Sequence, residues 1–123
     1  MRPNILMEKS FNFAVRCVKL YKYLRDEKRD YDISRQLLRA GTSIGANIKE
    51  GLFAQSKADF LAKLSIAKKE AAEVEYWLEL LSASEILTID ETESLLMDCR
   101  ELLKLLVSSC KTLNHRQITS DSN

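Results

Sequence analysis

Gly41-Thr42-Ser43-Ile44-Gly45 matches the G-x-S-x-G nucleophile elbow of serine hydrolases letter for letter. That motif works because a strand enters a sharp turn and a helix leaves it, which exposes the serine. Here a helical period runs through the motif without a break, and the single histidine, His115, stands beside a polar tail. Ser43 is therefore read as a small residue at a helix interface, and no catalytic residue is expected. Glu70 and Glu73 share a row with Ile66, Trp77 and Leu80. Two carboxylates in one row are material for acid–base or metal chemistry, but the chain lacks the histidines that would complete a donor set. The row predicts either partners for Arg39, Ser43 or Asn47 across a helix interface, or solvated charges. Cys17, Cys99 and Cys110 lie at helical core spacing among apolar residues and read as buried free thiols. With no Cys-x-x-Cys there is no material for zinc, so neither metal nor cofactor is expected.

The element that must position these residues is Leu37–Gly51, which holds all three glycines of the chain. Leu37, Gly41, Ile44, Ile48 and Gly51 recur at steps of four and three, the spacing of one helix face. Glycine inside a helix costs roughly 1 kcal/mol relative to alanine. Gly41 and Gly45, one turn apart, therefore imply a compensating close approach of another backbone. Ser43, Asn47 and Glu50 add polar groups to a helix expected to be mostly buried.

The remaining pattern predicts four helices, at about 5–27, 31–54, 57–83 and 89–114. In helix one, Met7, Phe11, Ala14, Val18 and Tyr21 form one apolar stripe, and Leu6, Phe13, Cys17, Leu20 and Leu24 form the next. Ser56 should cap helix three, and Thr88-Ile89-Asp90-Glu91 is a capping box opening helix four. Phe60, Leu64, Ala67, Ala71, Val74, Leu78 and Leu81 make a heptad seam. Leu96, Cys99, Leu103, Leu106, Cys110 and Leu113 repeat that spacing, with Leu95 and Leu102 widening the face. Residues 115–123 should form a polar, fraying tail. The reading is an all-α, antiparallel up-down-up-down four-helix bundle in one domain, 1–114. Tyr76, Trp77, Leu80, Leu95 and Leu102 cannot all point inward, which predicts self-association with Trp77 and Leu80 at or beside the contact. The alternative is that Trp77 and Leu80 complete the core of one chain.

One proline, three glycines and 30% charged residues fit an all-α domain. The apolar runs fall far short of the ~20 residues of a membrane span. Met1-Arg2-Pro3-Asn4 is too soon charged to open a signal peptide, so a cytoplasmic protein without membrane association is expected.

The pattern Leu37-Leu38-Arg39-Ala40-Gly41-Thr42-Ser43-Ile44, Asn47-Ile48, Glu50-Gly51, then Ser56, Asp59-Phe60, Leu64, Ile66-Ala67 and Glu70, resembles a known family. It is similar to the bacterial four-helix bundle proteins first noted as reading frames in intervening sequences of large-subunit ribosomal RNA genes. The resemblance spans about residues 5–113 and implies a bundle that assembles as a ring-like homopentamer, with no enzymatic activity and no small-molecule substrate. Similar bundles include the accessory variability determinant of diversity-generating retroelements, which interacts with nucleic acid and a reverse transcriptase. Many members have a small pair after Ile66-Ala67, where this chain has Lys68-Lys69.

The net charge of +1 argues against strong indiscriminate nucleic-acid binding, yet the charge is unevenly placed. Residues 1–54 carry eleven Lys/Arg against six Asp/Glu, and residues 55–123 carry eight against twelve. Lys9, Arg16 and Lys19 on helix one and Arg35 and Arg39 on helix two are therefore candidates for an RNA- or DNA-binding patch. Two other readings stay open. Arg39 pairs internally with Glu70 or Glu73, or the basic half meets the acidic half of a neighbouring subunit.

Overall fold

The computed structural model describes the backbone of residues 3–122 and the side chains of residues 5–115. Four helices follow one another: α1 (Pro3–Asp26), α2 (Asp32–Leu52), α3 (Lys57–Ala83) and α4 (Ile89–Ser122). No strand occurs among the described residues.

Local chemistry sets the helix ends. Ser56 accepts from the Asp59 N–H at 3.1 Å and starts α3. At α4, Thr88 Oγ1 accepts from the Glu91 N–H at 3.1 Å while the Glu91 carboxylate accepts from the Thr88 N–H at 2.8 Å. That reciprocal pair satisfies two amides the helix cannot. Asp30 does similar work ahead of α2, accepting from the Ser34 N–H at 2.7 Å. α3 ends in a Schellman motif: Ile86 N–H donates to Leu81 O and Glu85 N–H to Ser82 O, each at 3.1 Å, with Glu85 at φ 64°. α4 continues to Ser122, past the boundary at residue 114 expected from sequence. Neither glycine nor proline occurs after Asn114, and polarity alone does not stop a helix. The expectation for Met1 and Arg2 lies outside the described residues.

The helices pack around one core. α1 meets α2 where Gly41 faces Cys17 and Gly45 faces Ser10. α2 meets α3 where Arg39 reaches Glu73 and Glu50 reaches Lys63. α3 meets α4 where Glu75 pairs with Arg100 and Ser65 lies 4.0 Å from Cys110. In each pair, rising residue numbers on one helix meet falling numbers on the next. Of the four neighbouring pairs, α1 and α4 approach each other least, and their seam is bridged by Lys9–Glu101, Arg16–Asp98 and Tyr23–Glu91.

The heptad seam of α3 is buried as the spacing predicts, at Leu64, Ala67, Ala71, Val74, Leu78 and Leu81. In α1 the core stripe is Leu6, Phe13, Cys17, Leu20 and Leu24, whereas Phe11 of the other stripe is 62% exposed. In α4, Leu95 and Leu102 are core residues and do not add to a surplus surface, while Leu96 and Leu103 sit half-buried beside them. No helix among the described residues is long and apolar enough to cross a membrane.

Candidate functional site

Leu37, Ala40, Ile44 and Ile48 are fully buried, and the small residues between them let α1 come close. A β-carbon on Gly41 would stand 2.5 Å from Cys17 Sγ and 2.8 Å from Cys17 Cβ. At Gly45 the nearest neighbour would be Ser10 Oγ at 3.3 Å, and at Gly51 it would be the Phe60 ring at 2.9 Å. The hydroxyl groups of this stretch turn inward along the helix. Ser43 Oγ donates to Arg39 O at 2.7 Å, Thr42 Oγ1 to Leu38 O at 2.8 Å, and Asn47 Nδ2 to Ser43 O at 2.8 Å. Ser43 thus sits mid-helix, without the strand and turn an elbow requires. A fluorophosphonate probe is expected to leave the protein unlabelled. Labelling that Ser43→Ala abolishes would show the opposite.

Arg39 joins two carboxylates across the α2–α3 interface. Its guanidinium donates to Glu70 at 3.0 Å and to Glu73, while Trp77 Nε1 donates to Glu73 at 2.9 Å. The Trp77 N–H, and after it the Arg39 guanidinium, hold the Glu73 carboxyl below the ordinary carboxylate range against the opposing effect of burial. Of the partners expected for the two carboxylates, Arg39 takes both, and Ser43 and Asn47 bond to backbone instead. Glu50 accepts from Lys63 at 3.1 Å. Among the described residues no group of His, Cys, Asp and Glu is placed to hold a metal. Cys17, Cys99 and Cys110 are free and buried, and burial pushes the Cys17 and Cys99 thiols up to about 12.

The five candidate cations do not form one patch. Lys9 and Arg16 turn toward α4, where they pair with Glu101 at 2.7 Å and Asp98 at 2.6 Å. Arg39 turns to α3, and Arg35 pairs within its own helix with Asp32 at 3.2 Å. Among the described residues Lys19 alone of the five makes no ion pair. α1 presents these cations on the side facing α4, not on the side facing α2, so α1 and α2 do not pool their charge.

The model of the 23S rRNA-intervening sequence proteins matches residues 2–108. The chain belongs to this family. It is also similar to a protein of unknown function from the S23 ribosomal protein family of Bacteroides thetaiotaomicron, known from a crystal structure at 1.70 Å resolution. The two share 53% sequence identity with a TM-score of 0.87, over 90% of this chain and 99% of that one. No match is found among curated proteins.

On this family frame, Trp77 is half-buried against the core, its ring edge-on to Tyr76 with centroids 5.1 Å apart, and Leu80 is half-buried one turn away. Larger exposed apolar residues lie elsewhere. Phe11 (62%) and Val15 are one turn apart on α1, on the side away from Lys9 and Arg16, and Ile66 and Tyr76 lie on the outer side of α3. The sequence reading missed Phe11 and Val15 as surface residues. The signal was that two adjacent apolar stripes on one helix exceed what one core takes up.

Proposed function

We propose that the chain is a non-enzymatic structural protein, an antiparallel up-down-up-down four-helix bundle that assembles with copies of itself into a ring-like homopentamer. The observation that carries this reading is the pair of unlike apolar strips. Phe11 and Val15 form one on α1; exposed Tyr76, with half-buried Trp77 and Leu80 beside it, forms the other on α3, and Ile66 stands about 15 Å away by helical rise. Exposed apolar patches of this kind mark interaction surfaces. Two different strips on one chain suit a head-to-tail contact, and such contacts close into rings when the rotation per subunit allows. The subunit number of five follows the family resemblance. The alternating register of the helix contacts supports the up-down order. The absence of enzymatic activity is supported by Ser43 and Thr42 bonding to their own helix, and by the engagement of Glu70 and Glu73 with Arg39.

Light scattering is expected to give a mass about five times the 14.1 kDa chain at micromolar concentration. Phe11→Glu, which places a charge on one strip without touching the core, is expected to release smaller species of unchanged helicity. A stable 14.1 kDa species for the unaltered protein would overturn the assembly.

A further inference from the structure

Both apolar strips are bordered by charges that have no partner in the chain. Glu8 and Lys19 on α1, and Lys69 and Glu79 on α3, are exposed and make no ion pair among the described residues. Other charges are unpaired as well, but these four flank the strips, and their order is reversed between the two. Along α1 the sequence runs acid, Phe11, Val15, base; along α3 it runs base, Ala72, Tyr76, acid. The same face of α3 continues as exposed Ala62, seven residues before Lys69, and exposed Ala83, seven after Tyr76. Alanines at these positions leave room for the side chains of a neighbouring helix.

Helix direction decides how the two strips can meet. α1 and α3 point the same way, because each runs against α2: Ser10 and Cys17 face Gly45 and Gly41, while Arg39 and Glu50 reach Glu73 and Lys63. Rotation about an axis along the bundle carries a copy round without reversing its helices, so α1 of one copy meets α3 of the next in parallel. With Glu8 set beside Lys69, the two helices are offset by 61 residue numbers. Phe11 then falls opposite Ala72, the bulkiest group of one strip on the smallest of the other, and Val15 falls opposite Tyr76. Lys19 comes level with Glu79 to within one residue, on the same flank of the seam. Both strips step by three and then four, the spacing of a parallel two-helix seam. The antiparallel arrangement would instead set Glu8 against Glu79 and Lys19 against Lys69.

We propose that the outer face of α1 in one copy seats in parallel on the outer face of α3 in the next, in the register that pairs Glu8 with Lys69 and Lys19 with Glu79. This inference rests on the assembly described above and names the contact that forms it. The apolar strips supply the buried surface, and the charge order selects direction and register, as flanking charges do in helical seams. It also gives Lys19 a partner, the one basic candidate of α1 that has none within its own chain.

Two measurements test the contact, with circular dichroism verifying the fold of each variant. The first is oxidative cross-linking of Val15→Cys/Tyr76→Cys with copper–phenanthroline, for which the native cysteines are silent because they are buried. A ladder of covalent multimers is expected from the double variant and none from either single variant. Covalent dimers from Val15→Cys alone would place α1 against α1 and overturn the contact. The second is charge exchange, read by light scattering over a dilution series. Glu8→Lys and Lys69→Glu each bring like charges together and are expected to weaken assembly by about two- to tenfold per contact, the scale of an exposed pair lost and reversed. Glu8→Lys/Lys69→Glu in one chain restores the pair with its signs exchanged, and assembly is expected to recover. Assembly of the unaltered protein without a covalent ladder, or without recovery in the exchanged variant, would overturn this contact and leave the ring standing. A stable 14.1 kDa species would overturn both.

Discussion

Gly41→Ala is expected to destabilise the fold by about 1–3 kcal/mol, the range for overpacking a filled core. For a domain of this size that is roughly 4 °C of melting midpoint per kcal/mol. The added methyl would stand 2.5 Å from Cys17 Sγ and 2.8 Å from Cys17 Cβ. A rotamer change can move the sulfur, but the β-carbon moves only with the α1 backbone. Alanine's better helix propensity offsets about 1 kcal/mol at most. Gly41→Leu adds three more carbons to the same point and is expected to cost more than the alanine. Two controls separate this contact from glycine effects in general. Gly45→Ala meets Ser10 Oγ at 3.3 Å, so propensity gain and tightness nearly cancel there. In a Cys17→Gly background, where both clashing atoms are gone, Gly41→Ala should be markedly better tolerated, a coupling that a double-mutant cycle measures. Equal melting points for Gly41→Ala and Gly45→Ala, or no coupling to Cys17, would show that α1 does not close on Gly41.

The glycine contact, the α3 seam and the capping box were legible because each is local: spacing and residue type suffice. What was illegible depended on which neighbour a helix face meets. In α4 the sequence favours Leu96 and Leu103, whereas the buried row is Thr92, Leu95, Cys99, Leu102, Leu106 and Ser109. The hydroxyls at its two ends obscured that row. Thr92 and Ser109 look like surface residues, but each donates back to a carbonyl of its own helix, Thr88 O at 3.2 Å and Leu105 O at 2.8 Å. Ser10 and Ser34 are buried by the same device, with Met7 O and Asp30 O as acceptors. The partners of the basic candidates were hidden for a related reason. A cation's position along a helix is visible in sequence, but the carboxylate facing it from another helix is not. Lys9 and Glu101 meet across 92 positions of chain.

Arg39→Met is expected to destabilise the protein by about 1 kcal/mol near pH 7. That is closer to the value of a surface pair than of a buried one, because the Arg39 side chain is 49% exposed and solvent screens it. Methionine keeps most of the apolar stem, so the loss reports the guanidinium. Glu70 and Glu73, with side chains 17% and 32% exposed, would then face each other without a counter-charge. The pH dependence follows from Glu73, whose carboxyl is held low by the Trp77 N–H and then by Arg39. A group with a depressed folded-state pKa stabilises fully above its ordinary value, about 4.3 for Glu, and loses that contribution as pH falls through the folded value. The gap between the unaltered protein and Arg39→Met should therefore be widest near neutral pH and close as the medium is acidified below that ordinary value. Trp77 is the sole tryptophan, so its emission reads the site directly. An acid-side step in that emission is expected in the unaltered protein and should vanish in Glu73→Gln, which keeps the shape but cannot titrate. The same step in both proteins, or a stability gap that stays constant down to strong acid, would remove Glu73 from the account. In that case Arg39 would serve the α2–α3 interface through packing alone.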